Sequence, residues 1–299
     1  MTERKTTEPE SSSASANNAK LVYCGLVSGV LQAGVFSPWD RALYLSLIED
    51  RPFLHRLNFR HPWAGVLTNL VQRTMSGGLY FPLEDIFRGI LGDRMQESRA
   101  KFCAGMLAGG LNGIILNPAS TVRYRMWGAP KSEYDRGFMA VARTMHREAG
   151  LRIFLTGTMA TLYRDLLFGG VYGYLRYALC ARGGSDTADP GVPPAPISSS
   201  QRYVINMFSA AIATFLSSPM NYVRNMQYAS PSDRRPGAVK LLAELWARTR
   251  EHGSLTDAAS FLQRRLRLGW GTARVGVGMA FSEQIYSRCA RAVAATSTL

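Results

Sequence analysis

The sequence predicts an all-α membrane protein in which six transmembrane helices form three tandem two-helix repeats. The 299-residue chain contains three runs without a charged residue, each near the ~20 residues that cross a bilayer core as a helix. These runs are Leu21–Trp39, Phe102–Val122 and Tyr203–Val223. A second apolar segment, with polar residues near its middle, follows each run. The threefold recurrence of this order predicts the repeats.

The second apolar segments carry an arginine at or next to one repeat position, at Arg73, Arg164 and Arg274. A single arginine within an apolar segment commonly marks a helix end or a side chain that reaches the membrane surface. Three at matching or adjacent positions favour another explanation, because an arginine that faces lipid at mid-depth costs several kcal/mol. We therefore expect the three arginines to face a shared, water-filled interior.

The repeats and their connections divide the whole chain. We expect repeat 1 at residues 21–97, repeat 2 at 98–182 and repeat 3 at 201–293, with a Gly/Pro/Ser-rich linker at 183–200 and a short tail at 294–299. Residues 1–20 are rich in Ser, Thr and Asn and contain three glutamates, which is typical of a disordered tail and not of an Arg-rich presequence.

The net charge of +14 lies mainly in loops. The loops within the repeats carry +1 (residues 40–61), +4 (123–152) and +5 (224–267), whereas the tails and the loops between repeats carry 0 or +1. The positive-inside rule then puts the within-repeat loops on the interior side and both termini on the other side. Arg234, Arg235, Arg264, Arg265 and Arg267 are interpreted as membrane-surface or anionic-lipid contacts, and no nucleic-acid partner is expected.

The sequence contains no pattern of a catalytic or metal centre. The four cysteines are scattered without a CxxC pair, and the four histidines fall in loops. We therefore expect no enzyme activity, no metal and no cofactor.

At these positions the sequence resembles the mitochondrial carrier family, from about Leu21 to Val293. The family's repeat motif, P-x-[DE]-x-x-[KR], is followed by an interior-side helix and an acid-glycine stretch. Repeat 2 fits it well, with Pro118, Ser120, Arg123, Tyr134-Asp-Arg-Gly137, Glu148-Ala-Gly150, Phe154, Gly157 and Arg164-Asp165; repeats 1 and 3 offer Pro38, Asp40, Pro219, Asn221, Arg224, Trp270 and Arg274. The resemblance implies a pseudo-threefold carrier fold in the mitochondrial inner membrane, with the basic loops in the matrix and the termini in the intermembrane space.

The resemblance also implies two gates, and both depart from the family pattern. On the matrix side, Pro38, Asp40, Pro118, Ser120, Arg123, Pro219, Asn221 and Arg224 occupy the gate positions. Among these, only Asp40 and Arg123 are expected to form the ion pair that the family uses. On the cytoplasmic side, Asp85 and Arg88 remain. Repeat 1 is also short, with 34 residues from Pro38 to Gln72 against 46 between the matching residues of repeat 2, which predicts a truncated interior-side helix.

By the same resemblance, the substrate contacts are Gln72, Arg73, Arg164, Asp165 and Arg274, with hydrogen bonds added by Gln32 and Asn112. An Arg-acid pair at the middle position is the family's pattern for amino-acid-like substrates. Arginine binds a carboxylate bidentately and aspartate accepts from an ammonium group, so the residues agree with that substrate class. The alternative interpretation of Arg164-Asp165 is an internal salt bridge that holds the bundle. Gly137 and Gly157 lie where the family binds cardiolipin.

The function expected is solute transport by alternating access, for a carboxylate-bearing, amino-acid-like metabolite. Membrane lipids, cardiolipin among them, are the other expected partners of a monomer. The weakened gates leave two alternatives open: a carrier fold that no longer transports and serves as a structural or docking subunit of a larger membrane complex, and a leaky uniporter or channel.

Overall fold

The computed structural model describes residues 10–92, 95, 97–128, 137–183, 198–230 and 236–296. Within them the chain is helical and contains no strand. The helices are α1 (Glu10–Ile48), α2 (Val66–Gly92), α3 (Glu97–Ile115), α4 (Asn117–Gly128), α5 (Phe138–Ala149), α6 (Thr158–Gly183), α7 (Ser199–Ala229), α8 (Ala238–Arg250), α9 (Leu255–Leu266) and α10 (Leu268–Thr296). Two short 3-10 segments, Arg56–Phe59 and Gly150–Leu155, join them.

The long helices form a closed ring. In chain order α1 packs against α2, α2 against α3, α3 against α6, α6 against α7 and α7 against α10, and α10 returns to α1. Glycines let α3 and α6 approach closely: a Cβ at Gly110 would lie 3.0 Å from Leu162 Cδ1, and one at Gly173 would overlap the ring of Phe102. Between membrane helices no hydrophobic force drives association, so small residues that let the backbones approach closely favour packing.

The three prolines at matching positions of the predicted repeats differ in their effect on the helices that contain them. Helices α1 and α7 continue through Pro38 and Pro219, whereas α3 and α4 meet just before Pro118 with a bend of 58°. Asn117 holds this bend. Its buried amide donates 2.8 Å hydrogen bonds to the carbonyls of Phe154 and Thr156, and its oxygen accepts from the Tyr228 hydroxyl at 2.7 Å.

The connections between the paired helices have unequal lengths. Repeat 1 has only the four-residue segment Arg56–Phe59, which confirms the predicted truncation. Repeat 2 has α5 and repeat 3 has both α8 and α9, amphipathic helices that bury apolar residues such as Val141 and Leu245. Pro52, which cannot donate a backbone hydrogen bond, and the brevity of the connection limit helix formation in repeat 1.

The helix ends differ from the predicted boundaries. Helix α1 begins at Glu10, so residues 10–20 continue the apolar helix instead of forming a disordered tail, because an existing helix extends through Ser and Ala more easily than a new one starts. Helix α10 extends to Thr296, three residues into the predicted 294–299 tail. Of the predicted linker, residues 183–200, the described residues are Gly183 at the end of α6 and 198–200 at the start of α7, and 184–197 lie outside the described residues.

Length and composition identify fewer membrane spans than six. Among the described helices, Tyr203–Ala229 alone is long and apolar enough to cross a bilayer unbroken. The bent pair Phe102–Ile115 and Asn117–Gly128 adds a second span if it is taken as one. The six-span arrangement therefore stays a prediction, supported by the closed ring of long helices.

Candidate functional site

Arginines from several helices meet inside the helical ring. Arg73 on α2, Arg123 on α4, Arg164 on α6, Arg224 on α7 and Arg274 on α10 form what we call the arginine cluster. Arg73 lies within electrostatic range of Arg123 and Arg274, and Arg164 within range of Arg224. Residues from α4 and from four helices of the ring come this close only on the inner side of the ring. The predicted convergence of Arg73, Arg164 and Arg274 toward the interior agrees with this placement.

Two aspartates belong to the same site. Asp40 on α1 accepts two hydrogen bonds from Arg274, from Nε at 2.6 Å and from Nη2 at 2.9 Å. The Arg274 side chain is 9% exposed and lies 4.5 Å over the ring of Phe36. This bidentate pair differs from the expected pairing of Asp40 with Arg123. The proximity of α10 to α1 in the ring explains the choice, since it puts Arg274 beside Asp40.

The second aspartate, Asp165, forms an ion pair with its neighbour Arg164. Their side chains are 30% and 19% exposed, so both stay accessible from the interior. Gly113 makes room for the carboxylate, because a Cβ at that position would overlap Asp165. This geometry is therefore compatible with both interpretations of the Arg164-Asp165 pair, an internal salt bridge and a substrate contact.

Arg73 differs from the other arginines of the cluster. Its side chain is exposed, and it forms no ion pair with any residue that the structure describes. Its neighbour Gln72 donates a 2.5 Å hydrogen bond to the Ser120 hydroxyl. Arg73 is therefore the group of the cluster that is most available to an incoming anion.

The two remaining arginines contact aromatic rings in place of carboxylates. Arg123 donates to Asn69 Oδ1 at 2.6 Å and lies 4.8 Å over Trp127. Arg224 donates to the Tyr124 hydroxyl at 2.9 Å and to Asn221 at 2.7 Å. Arg224 is thus held by Tyr124 of α4 and by Asn221 of its own helix.

Beneath these arginines the rings pack into a buried aromatic cluster of Tyr44, Tyr124, Trp127 and Tyr228. Tyr124 stacks on Tyr228 with ring centroids 4.8 Å apart, and it lies 5.1 Å from Trp127. Sequence reasoning missed this cluster. The available signal was an aromatic residue one or four positions after each gate arginine, at Tyr124 and Tyr228.

The other predicted site residues do not belong to the arginine cluster itself. Asn112 donates to Ser76 Oγ at 2.8 Å, which joins α3 to α2. Gln32 lines a cavity of about 390 Å³ beyond Arg274. The predicted outer gate residues, Asp85 and Arg88, are exposed on α2.

The predicted lipid-binding glycines both have left-handed backbone conformations, with φ of 81° at Gly137 and 72° at Gly157. Gly137 precedes α5, and Gly157 precedes α6 and packs against the ring of Tyr228. Free N–H groups at these helix starts are of the kind that binds anions. Cardiolipin binding stays a prediction.

The interpretation of Arg265 and Arg267 as membrane-surface contacts is wrong. Both side chains are buried, at 7% and 9% exposure. Arg265 donates to the Leu47 carbonyl at 2.8 Å, and Arg267 donates to the Ser46 carbonyl at 2.7 Å. They satisfy carbonyls at the end of α1 that a helix leaves without intrahelical partners. Arg234 and Arg235 lie outside the described residues.

The chemistry of the site follows from its charges. Five arginines and two aspartates leave an excess of three positive charges, which favours anions and zwitterions. An arginine can hold a carboxylate through two parallel hydrogen bonds, as Arg274 already does with Asp40. The site thus provides anion binding and exchange of ion-pair partners.

Comparisons with known proteins agree with this picture. Residues 96–177 match the family described as mitochondrial carrier protein. The human mitochondrial carnitine/acylcarnitine carrier protein is 24% identical over 164 residues, which are 48% of this chain and 54% of that protein. A mitochondrial glycine transporter of Yarrowia lipolytica is 23% identical over 241 residues, 71% of this chain and 78% of that protein. A probable ADP,ATP carrier protein of Arabidopsis thaliana is 27% identical over 120 residues, 37% of this chain and 36% of that protein.

The matches cover the relatives unequally, since the chain spans about half the length of the carnitine/acylcarnitine carrier that it matches. All but the first two of the matched residues 96–177 fall in the predicted repeat 2, where the motif fits best. The resemblance seen in the sequence is thereby confirmed at low identity.

Proposed function

We propose that this chain, a divergent relative of the mitochondrial carriers, is a solute transporter of the mitochondrial inner membrane that works by alternating access. Its substrate is a carboxylate-bearing, amino-acid-like metabolite. The observation that carries this proposal is the arginine cluster inside the helical ring, with Arg73 open and Asp165 beside Arg164. Binding of a substrate favours the state to which it binds more tightly, so exchange of ion-pair partners within the cluster couples binding to opening.

The substrate class follows from the charges that face the interior. Arg73 and Arg164 suit a carboxylate, and Asp165 suits an ammonium or quaternary amine next to it. Two relatives are named for carnitine and for glycine, molecules that each combine a carboxylate with a positively charged nitrogen. We extend that chemistry, and not either molecule, to this chain.

The proposal includes an orientation. The basic connections, among them α5, α8 and α9, face the matrix, and both termini lie in the intermembrane space, in accordance with the loop charges. The proposal also includes cardiolipin bound at Gly137 and Gly157 and a monomeric state. Transport requires no covalent chemistry, so no catalytic residue is assigned.

A binding screen tests the proposal. The purified protein in detergent is screened by thermal shift against amino acids and carboxylates, and hits are measured as uptake into proteoliposomes. A ligand at 100 times its dissociation constant stabilises the folded state by about 2.7 kcal/mol. We expect a hit that both Arg164→Ala and Arg73→Ala abolish and that the exposed-site control Arg264→Ala leaves unchanged.

One observation favours a second function. Arg123 and Arg224 bond to amide, hydroxyl and aromatic groups instead of carboxylates, so part of the expected gate network is replaced by internal packing. A carrier fold that serves as a structural subunit of a membrane assembly has this property. The same screen separates the two functions: the absence of any hit, with Arg73→Ala and Arg164→Ala as stable as the parent, contradicts transport and supports the structural role.

A further inference from the structure

A cavity of about 390 Å³ lies between three helices of the ring. Its wall includes Ser28 and Gln32 of α1, Asn206 and Met207 of α7, and Met279 and Ser282 of α10. Its volume is at the lower end of the range of about 300–1,000 Å³ for small-molecule sites. The cavity is therefore large enough for part of a metabolite.

The cavity opens toward the interior of the ring. Helix α10 lies between α1 and α7 in the order of packing. A cavity that touches all three helices must lie on the side of α10 where α1 and α7 face each other. This side is the inner side of the ring. A hydrogen bond of 3.2 Å between the Ser28 and Ser282 hydroxyls joins α1 to α10 at the level of the cavity.

The cavity adjoins the arginine cluster along one face of α10. Arg274, Gly278 and Ser282 follow at intervals of four residues, so they share a helix face. A Cβ at Gly278 would overlap Arg274 Nη1 and would lie 2.9 Å from Gln32 Nε2, so the Gln32 amide in the cavity wall lies beside the Arg274 guanidinium. At 1.5 Å per residue, Ser282 is about 12 Å along the helix from Arg274.

The chemistry of the wall differs from that of the cluster. The lining residues are hydroxyl, amide, thioether and phenol side chains, and none of them is charged. Thioethers adapt to irregular apolar groups, and the hydroxyl and amide groups tolerate polar ones. A charged group would lose solvation here without gaining an ion-pair partner.

We propose that the cavity between α1, α7 and α10 binds an uncharged arm of the substrate, whose carboxylate is held by the arginine cluster. This inference rests on the proposed function and specifies its substrate class. The substrate is an amino-acid-like carboxylate with an extended uncharged side chain of several bonds, and the cavity sets the length that is accepted.

A homologous series of ligands tests the inference on the full-length protein. Dissociation constants are measured by calorimetry in detergent for glycine, 2-aminobutyrate, 2-aminohexanoate and 2-aminooctanoate. We expect the affinity to rise with side-chain length by up to about fourfold per methylene, which corresponds to ~0.8 kcal/mol. Ser282→Trp and Met207→Trp, each of which fills the cavity, should abolish this increase and leave glycine binding within about twofold of the parent.

The control is Val277→Trp on the exposed face of α10, which should keep the full length dependence. Glycine binding that is lost in Arg73→Ala and length dependence that is lost in both cavity variants support the inference. If the ligands bind but their affinities are independent of length, or if both cavity variants keep the length dependence, the inference is overturned and the proposed function stands. If no member of the series binds the parent, both are overturned.

Discussion

Arg274 and Asp40 show how one residue pair changes the interpretation of a site. The sequence assigns Arg274 to the substrate and Asp40 to a gate, and the structure joins them by two hydrogen bonds. The guanidinium is almost fully buried, so a lost partner leaves a charge that water does not reach. The pair therefore links a predicted substrate residue directly to a predicted gate residue.

We expect this pair to stabilise the fold measurably. In a double-mutant cycle of Asp40→Asn and Arg274→Gln, the coupling free energy of unfolding should be about 1–3 kcal/mol, because the hydrogen bonds are charge-assisted and shielded from solvent. Denaturant unfolding in detergent measures it. The exposed pair Lys240 and Glu244 is the matched control, at about 0.5 kcal/mol or less. Equal coupling in the two cycles would refute the prediction.

Residue types at the site follow from the sequence, but their partners do not. Three arginines at or next to one repeat position predict a polar interior because the cost of burying charge in lipid is general. The partner of Asp40 depends on the rotation and spacing of α1 and α10, which no motif encodes. The packing of α4 against α2 likewise gives Arg123 its amide partner Asn69, and the packing of α4 against α7 gives Arg224 its partner Tyr124.

At the scale of elements, the end of α1 is attached to the start of α10. Arg265 and Arg267, at the end of α9, donate to carbonyls of α1, and both lie within 3.7 Å of Asp50. A run of basic residues near a membrane segment is usually interpreted as a surface feature, and that interpretation fails here. The left-handed turn at Arg267, with φ of 54°, directs the chain back toward α1.

Arg265→Ala tests this attachment. The substitution leaves the Leu47 carbonyl and the Tyr222 hydroxyl without their buried donor, so the free energy of unfolding should fall by about 3 kcal/mol. Arg264→Ala is the neighbouring control, since its side chain is exposed, and it should change stability by about 0.5 kcal/mol or less. Thermal unfolding in detergent compares the two. Similar losses in both variants would show that the buried bonds contribute little.

At the scale of the whole molecule, the aromatic cluster joins three helices. Tyr44, Tyr124 and Tyr228 come from α1, α4 and α7, and Tyr124 and Tyr228 also contact Arg224 of the arginine cluster. On the proposed transport function, we expect this cluster to close one gate without carboxylates at the positions of Ser120 and Asn221.

Loss of a ring from this closure should let solute pass without substrate. Tyr124→Ala removes a tilted ring contact with Tyr44 and a stacked one with Tyr228, each worth about 0.5–1.5 kcal/mol. A combined loss of about 1.4 kcal/mol raises the open population about tenfold. Efflux of a trapped anionic dye from proteoliposomes measures it, with exposed Tyr174→Ala as control. Equal efflux from both variants would contradict a sealing role.

The overall architecture is more predictable than its details. The order of apolar runs, prolines and polar connections predicts the long helices and the shortened connection of repeat 1, because these features depend on local pattern and chain length. The bend at Pro118, with α1 and α7 continuous through their own prolines, was not predictable. It depends on Asn117, whose amide bonds to the carbonyls of Phe154 and Thr156 far along the chain.

The unequal connections make the three repeats non-interchangeable. Arg265 and Arg267 of the third repeat anchor the end of α1, and among the described helices the bend before the repeat proline occurs only at Pro118 of the middle repeat. A synthetic protein built from three copies of residues 98–182 would have neither the anchor of α1 nor a counterpart of Asp40 for Arg274. Duplication can have produced the ring, but subsequent divergence has made each third of this chain dependent on its place in the order.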